Sequence, residues 1–207
     1  MAKVKITSKM LKQTKLIQKE VQRVTEQNYK AIAKVFIDFG NDTEKQFAKI
    51  TMQDLKWDVL KSRLDIVLST NSKRSTKSFV NFLNKLFDFK LKTDRIETVE
   101  NETVNQYAKG LAKKVTYVTE TTKNQIASLI DNNKGLNTND LAKLINEKFV
   151  EISKGRAKTI SRTESANLFN NANLNTAKEV GMKYKTYVHG VSSPNERPNH
   201  RALNGTK

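Results

Sequence analysis

Apolar residues recur along most of the chain at three- and four-residue spacing, which is the pattern of helices with one buried face. From Ser8 to Phe39, the residues Met10, Ile17, Val21, Val24, Ala31, Val35 and Phe39 keep that spacing. Gly40 and Asn41 then read as a C-cap, with Asp42 or Thr43 opening the next helix. This second helix carries Phe47, Ile50, Trp57, Leu60, Leu64, Val67 and Leu68, and is expected to pair antiparallel with the first. The polar, basic stretch STNSKRSTKS, residues 69–78, predicts a loop. Beyond it Phe79, Phe82, Leu83, Leu86, Phe87 and Phe89 mark an aromatic-rich helix. A fourth long helix is expected from Glu97 to Ile130, although VTYVTETT within it has strand propensity. DNNKGLNTND breaks the pattern, and Asn137 or Thr138 caps a short helix bearing Leu141, Leu144, Ile145 and Phe149. After Ser153 another helix runs to Val180, with Gly181 placed as its C-terminal cap. KYKTYVHGV, residues 183–191, alternates as a strand, and the remaining residues have turn signals. The expected fold is mainly α: a long-helix N-terminal region, 1–150, followed by a small α+β C-terminal module, 151–207.

Composition narrows the chemistry. The chain has no cysteine, which excludes disulfides, thiolate catalysis and cysteine-bound zinc. No apolar run approaches the roughly 20 residues that span a bilayer, and the lysine-bearing N-terminus lacks the apolar core of a signal peptide. No membrane partner is expected, and synthesis and folding are placed in the cytoplasm.

Charge is the strongest compositional signal. Lys and Arg number 38 against 21 Asp and Glu, a formal net charge of +17. A compact state must tolerate that self-repulsion, which makes sense beside a polyanion. On a helical wheel Lys5, Lys12, Lys15, Lys19 and Arg23 fall opposite the apolar stripe of the first helix. Lys73 and Arg74 sit in the expected loop, and Lys154, Arg156 and Lys158 open the last helix. Together these are the candidate contacts to DNA phosphates, which require charge and not base readout. The alternative is a lysine-rich solvated surface. Basic residues beside the Phe cluster also allow a single-strand platform, although the helical Phe spacing favours core.

The stretch GRAKTISRTESANLFNNANLNTAKEVG, followed by a Tyr-bearing strand and a final His-x-x-Leu-Asn-Gly, adds a family signal. It resembles the phage head-morphogenesis family, the minor head proteins similar to the F protein of phage Mu. The positions that carry the resemblance are Ile160, Arg162, Thr163, Glu164, Asn167, Ala172, Glu179, Gly181, Arg197, His200, Leu203, Asn204 and Gly205. The resemblance spans roughly residues 153–205. It implies a protein inside the head of a tailed phage, associated with the portal or major capsid protein, acting in head assembly or DNA ejection.

Arg162 and Glu164 lie two apart on a helix, so their side chains do not face each other. Each needs a partner elsewhere, and the terminal loop with His200 or Asn204 is one source. The motif residues Arg162, Glu164, Gly181, His200, Asn204 and Gly205 are therefore read as structural. His189 and His200 do not form a zinc spacing, no carboxylates cluster as a magnesium-dependent nuclease requires, and phosphate loops are absent. The expectation is a non-enzymatic protein without metal or cofactor. Two rivals remain: a helical scaffold-type interaction protein that never touches DNA, and a phage nuclease or transferase.

Overall fold

The computed structural model describes residues 7–47 and 55–182. They form five helices: α1 (Ser8–Phe47), α2 (Trp57–Phe87), α3 (Thr93–Ala108), α4 (Leu111–Asp131) and α5 (Thr138–Glu179). The mainly helical expectation holds, and the described residues contain no strand. The expected strand at 183–191 and the terminal loop lie outside the described residues.

The longest element, α5, packs against each of the other four helices. α1 runs antiparallel to both α2 and α5. On one seam Arg63 reaches Asp42 and Ser78 donates to Glu20. On the other, Asn146 donates to Glu44 and Asn28 to Ser165. α3 and α4 lie in succession along α5, also antiparallel, through Arg95–Glu179, Thr103–Asn175, Lys114–Glu164 and Thr122–Arg156. Phe36, Phe79, Phe149, Ile32, Leu60, Leu64 and Leu83 are fully buried between these helices. Phe149 meets Phe39 edge-on at 5.3 Å, and Phe79 meets Phe169 in the same way at 5.4 Å.

Four expected boundaries are corrected. The first helix does not stop at Phe39 but runs through Gly40 to Phe47. Gly40 is a close-approach position: a Cβ there would lie 2.7 Å from Phe149 Cβ and 2.8 Å from Asn146 Oδ1, so its hydrogen lets α1 and α5 close up. The loop expected at 69–78 is helix, in the middle of α2. Nothing in it forbids a helix, and Asn71, Ser72, Ser75 and Thr76 are buried as small polar residues against neighbouring helices. Some of their hydrogen-bonding groups are met locally, as when Ser72 Oγ donates to the Ser69 carbonyl at 2.7 Å. The single helix expected from Glu97 to Ile130 is two, divided at Lys109–Gly110, where glycine is the poorest helix former in the stretch. Conversely, the two helices expected between 138 and 180 are one, so residue 150 falls inside α5.

Two terminal features follow the expectation. Asn137 accepts the Asp140 backbone N–H at 3.0 Å and so caps α5 at its start. Gly181 has φ +71°, the left-handed conformation that closes a helix, and the neighbouring Met182 N–H returns to the Ala177 carbonyl.

Along α1 the buried row is Val24, Asn28, Ile32, Phe36, Phe39 and Thr43, while Met10, Ile17, Val21, Ala31 and Val35 are half-buried. The row therefore includes a polar layer. Asn28 donates to Ser75 at 3.1 Å and to Ser165 at 3.0 Å, and its oxygen accepts from Arg74 at 3.2 Å. One side chain thus ties α1, α2 and α5 together, and a slip of any helix would leave buried polar groups unpaired. The Phe-rich stretch of α2 is core: Phe79 and Leu83 are buried, and Phe82 and Phe87 pack against the same cluster.

Candidate functional site

The basic residues singled out from the sequence have different structural roles. Lys12, Lys15 and Lys19 are exposed along α1, and Lys73 is exposed on α2. None of the four forms an ion pair among the described residues. Arg23 is held: it grips Glu20 through two nitrogens at 2.8 and 2.6 Å and donates to Ser78 at 2.6 Å. That bidentate pair lowers the Glu20 carboxyl below its usual range and raises the arginine. Arg74 points inward onto Asn28 and Asn71. Arg156 clamps α5 to α4, donating to the Val118 carbonyl, Thr121 Oγ1 and Thr122 Oγ1, and its burial lowers its pKa. Arg23, Arg74 and Arg156 therefore commit guanidinium nitrogens to hydrogen bonds within the chain, although Arg23 and Arg74 remain exposed residues. Lys5 lies outside the described residues.

Lys154, Lys158 and Arg162 stand four residues apart on the exposed side of α5 and line one wall of a groove of about 780 Å³. Displaced from them along the helix axis, Gln18, Gln22, Thr25 and Glu26 of α1 also line it, with Ile17, Val21 and Tyr29 supplying apolar surface. Among the described residues the three cations make no ion pair. Arg162, read from the sequence as structural, is exposed and lines the groove, and the terminal loop expected to meet it lies outside the described residues.

Glu164 behaves as the sequence required, since it finds its partner on another helix. It is 8% exposed and accepts from Lys114 Nζ at 2.6 Å. The Lys114 ammonium also lies 4.4 Å above the centre of the Tyr107 ring. Tyr107 is buried, with the Glu164 carboxylate near its phenol. Burial first, then the nearby Glu164 charge, push the phenol far above its usual range. Nothing in the sequence paired Lys114 or Tyr107 with Glu164. They lie 50 and 57 residues before Glu164, and no local spacing links them. Gly181 caps α5, whereas His200, Asn204 and Gly205 lie outside the described residues. Among the described residues no three His, Cys, Asp or Glu side chains gather as metal ligands, and no helix is long and apolar enough to cross a membrane.

A bundle organised on α5, with a buried Tyr–Lys–Glu contact at its motif and free cations on its outer face, is the setting in which the family signal sits. The family of Phage Mu protein F like proteins matches residues 102–207, just over half of the chain, and the chain belongs to that family. The match begins inside α3, earlier than the resemblance read from 153 onward, and so takes in Tyr107 and Lys114 as well as Glu164. Nothing among curated proteins or solved structures matches the chain.

Proposed function

We propose that this protein is a minor head protein of a tailed bacteriophage that lies inside the capsid near the portal and contacts packaged DNA without sequence preference. Membership of the Mu F-like family supports the role in head morphogenesis. The single observation that carries the DNA contact is the row Lys12, Lys15 and Lys19, exposed on α1 and without ion pairs among the described residues, in a chain with net charge +17. Such a row can neutralise phosphates along a duplex, and counterion release then drives binding. Lys73 is a further exposed cation of the same kind. Head assembly and DNA ejection are the steps in which a protein so placed acts, with the portal or major capsid protein as its protein partner. Its role is binding and not catalysis.

Titration of non-specific duplex DNA at about 50 and about 200 mM salt tests the reading. Binding at the lower salt with a steep loss at the higher is the expected result. Replacing Lys12, Lys15 and Lys19 with Gln should weaken binding equally for unrelated sequences and flatten the salt slope by about 0.9 for each phosphate no longer neutralised. No binding at about 50 mM would overturn the DNA role and leave a helical interaction protein. Cleavage of the duplex in the presence of magnesium would overturn the non-enzymatic reading.

A further inference from the structure

The two exposed cation rows, Lys12–Lys15–Lys19 on α1 and Lys154–Lys158–Arg162 on α5, lie on one side of the molecule. Lys15 and Lys19 stand seven residues, about two turns, before Gln22 and Glu26, and Lys12 stands seven before Lys19. The lysines therefore share the flank of α1 that carries Gln22 and Glu26, and both of those residues line the same groove as the α5 row. Along the helix axes the two rows are displaced. Asn28 meets Ser165 and Phe39 meets Phe149, so the α5 row lies beside residues 28–39 of α1, well past Lys19. At about 1.5 Å per residue the centres of the rows are about 27 Å apart, and the outermost cations, Lys12 and Lys154, about 35 Å apart. Between them stand Gln22 and Glu26, and the nearby Arg23 is paired with Glu20. Lys30, exposed one turn past Glu26, belongs with the α5 row. The positive surface is thus two clusters and not one continuous track.

We infer that the two rows hold one DNA duplex at two points, about one helical turn of the DNA apart. This rests on the DNA contact proposed above for α1 and adds to it a second contact on α5, with Arg162 as a phosphate ligand. A duplex repeats every 34–36 Å or about 10 base pairs, so a strand that faces Lys12 returns to the protein side at about the distance of Lys154. Duplex DNA has a persistence length of about 150 base pairs and is stiff over one turn. Once one row has bound, the other meets its phosphates with no further ordering of the DNA, and the second contact is in effect intramolecular. A flexible single strand, which follows a continuous basic groove, gains less from clusters separated by Glu26. Arg162 adds a planar fork that grips phosphate oxygens in pairs, while its neighbour Glu164 stays inside the fold.

The test uses the full chain and hairpin DNA with stems of about 6 and about 14 base pairs, roughly 20 and 48 Å long at about 3.4 Å per pair. The short stem reaches one row at a time and the long stem reaches both. For the natural protein the long stem is expected to show a salt slope steeper by about 2.7, three further phosphates at about 0.9 each. The variant Lys154→Gln/Lys158→Gln/Arg162→Gln should bind the long stem about tenfold or more weakly and lose that extra slope. It should bind the short stem within about twofold, because the α1 row still holds it. The variant Lys109→Gln/Lys113→Gln/Lys123→Gln removes the same charge from exposed positions on the α3–α4 side, and should keep both stems within about twofold. Far-UV circular dichroism confirms that each variant is folded. An α5 variant that binds the long stem as well as the natural protein does, or that loses as much on the short stem, overturns the two-point hold and leaves the α1 contact standing. Failure of the natural protein to bind either stem overturns the α1 contact as well. Tighter binding of a single strand than of the long stem, lost in the α5 variant, overturns the inference in favour of single-stranded DNA.

Discussion

Glu164 shows how a polar residue in a family motif can be fully accounted for by packing. Its carboxylate is met by Lys114, and Tyr107 closes the site from the other side. Removing Lys114 would leave a charge with little water around it, a change that typically costs about 3–5 kcal/mol when a buried pair is broken. Only part of that applies here, because the Lys114 side chain is 34% exposed and water screens it. Tyr107 carries a sharper prediction. Its neutral form is favoured in the folded chain, so folded and unfolded states bind equal numbers of protons until pH approaches the ordinary phenol value of about 10. Above that the unfolded chain loses the proton first, and stability falls as pH rises. The urea midpoint should drop between about pH 8 and pH 11 in the natural protein, and drop less in Tyr107→Phe, which has no phenol to titrate. Gly40→Ala is expected to destabilise by about 1–3 kcal/mol in the same assay, through the clash with the Phe149 Cβ. A neutral effect would mean that α1 and α5 can move apart freely.

At the scale of elements, the caps of α5 were legible, whereas the cap expected at Gly40 and the helix boundaries were not. Asn137 and Gly181 act through their own backbone neighbourhood, so three or four residues of sequence suffice to recognise them. Asn137→Ala should lower stability by about 1 kcal/mol, read from the urea midpoint, while far-UV helicity changes only slightly. Residues 69–78 look like a loop in the sequence because polarity suggests exposure. In α2 the small hydroxyl and amide side chains are buried, and Asn28, the partner of Ser75, comes from a helix distant in sequence. Asn28→Leu keeps the approximate volume but strands Ser75, Ser165 and Arg74. An expected loss of about 1–3 kcal/mol follows, together with weakened uniqueness of the α1–α2–α5 register. A stabilised variant would show that the layer contributes nothing to stability.

At the scale of the molecule, the family match and the folding unit do not coincide. Residues 102–207 contain α4, α5 and part of α3, but the face of α5 bearing Phe149, Ser165 and Phe169 is covered by Phe39, Asn28 and Phe79 from α1 and α2. A fragment starting at residue 102 should therefore expose that face, bind a hydrophobic dye and melt without cooperativity. Sharp cooperative unfolding of the fragment would contradict this dependence.

The sequence by itself determined the helical class, the caps of α5, the surplus of positive charge and the family, because each is written in local spacing, composition or an ordered motif. Periodicity reports which face of a helix is apolar, and it found α1 in this way. It cannot report which helix a buried serine meets, or which lysine across 50 residues answers Glu164. Only the tertiary structure divided the cations into two groups. Arg23, Arg74 and Arg156 are engaged by hydrogen bonds to other side chains, while Lys12, Lys15, Lys19, Lys154, Lys158 and Arg162 are exposed and make no ion pair among the described residues. Charge at a position is a property of the residue, whereas its availability to a partner depends on what the fold places beside it.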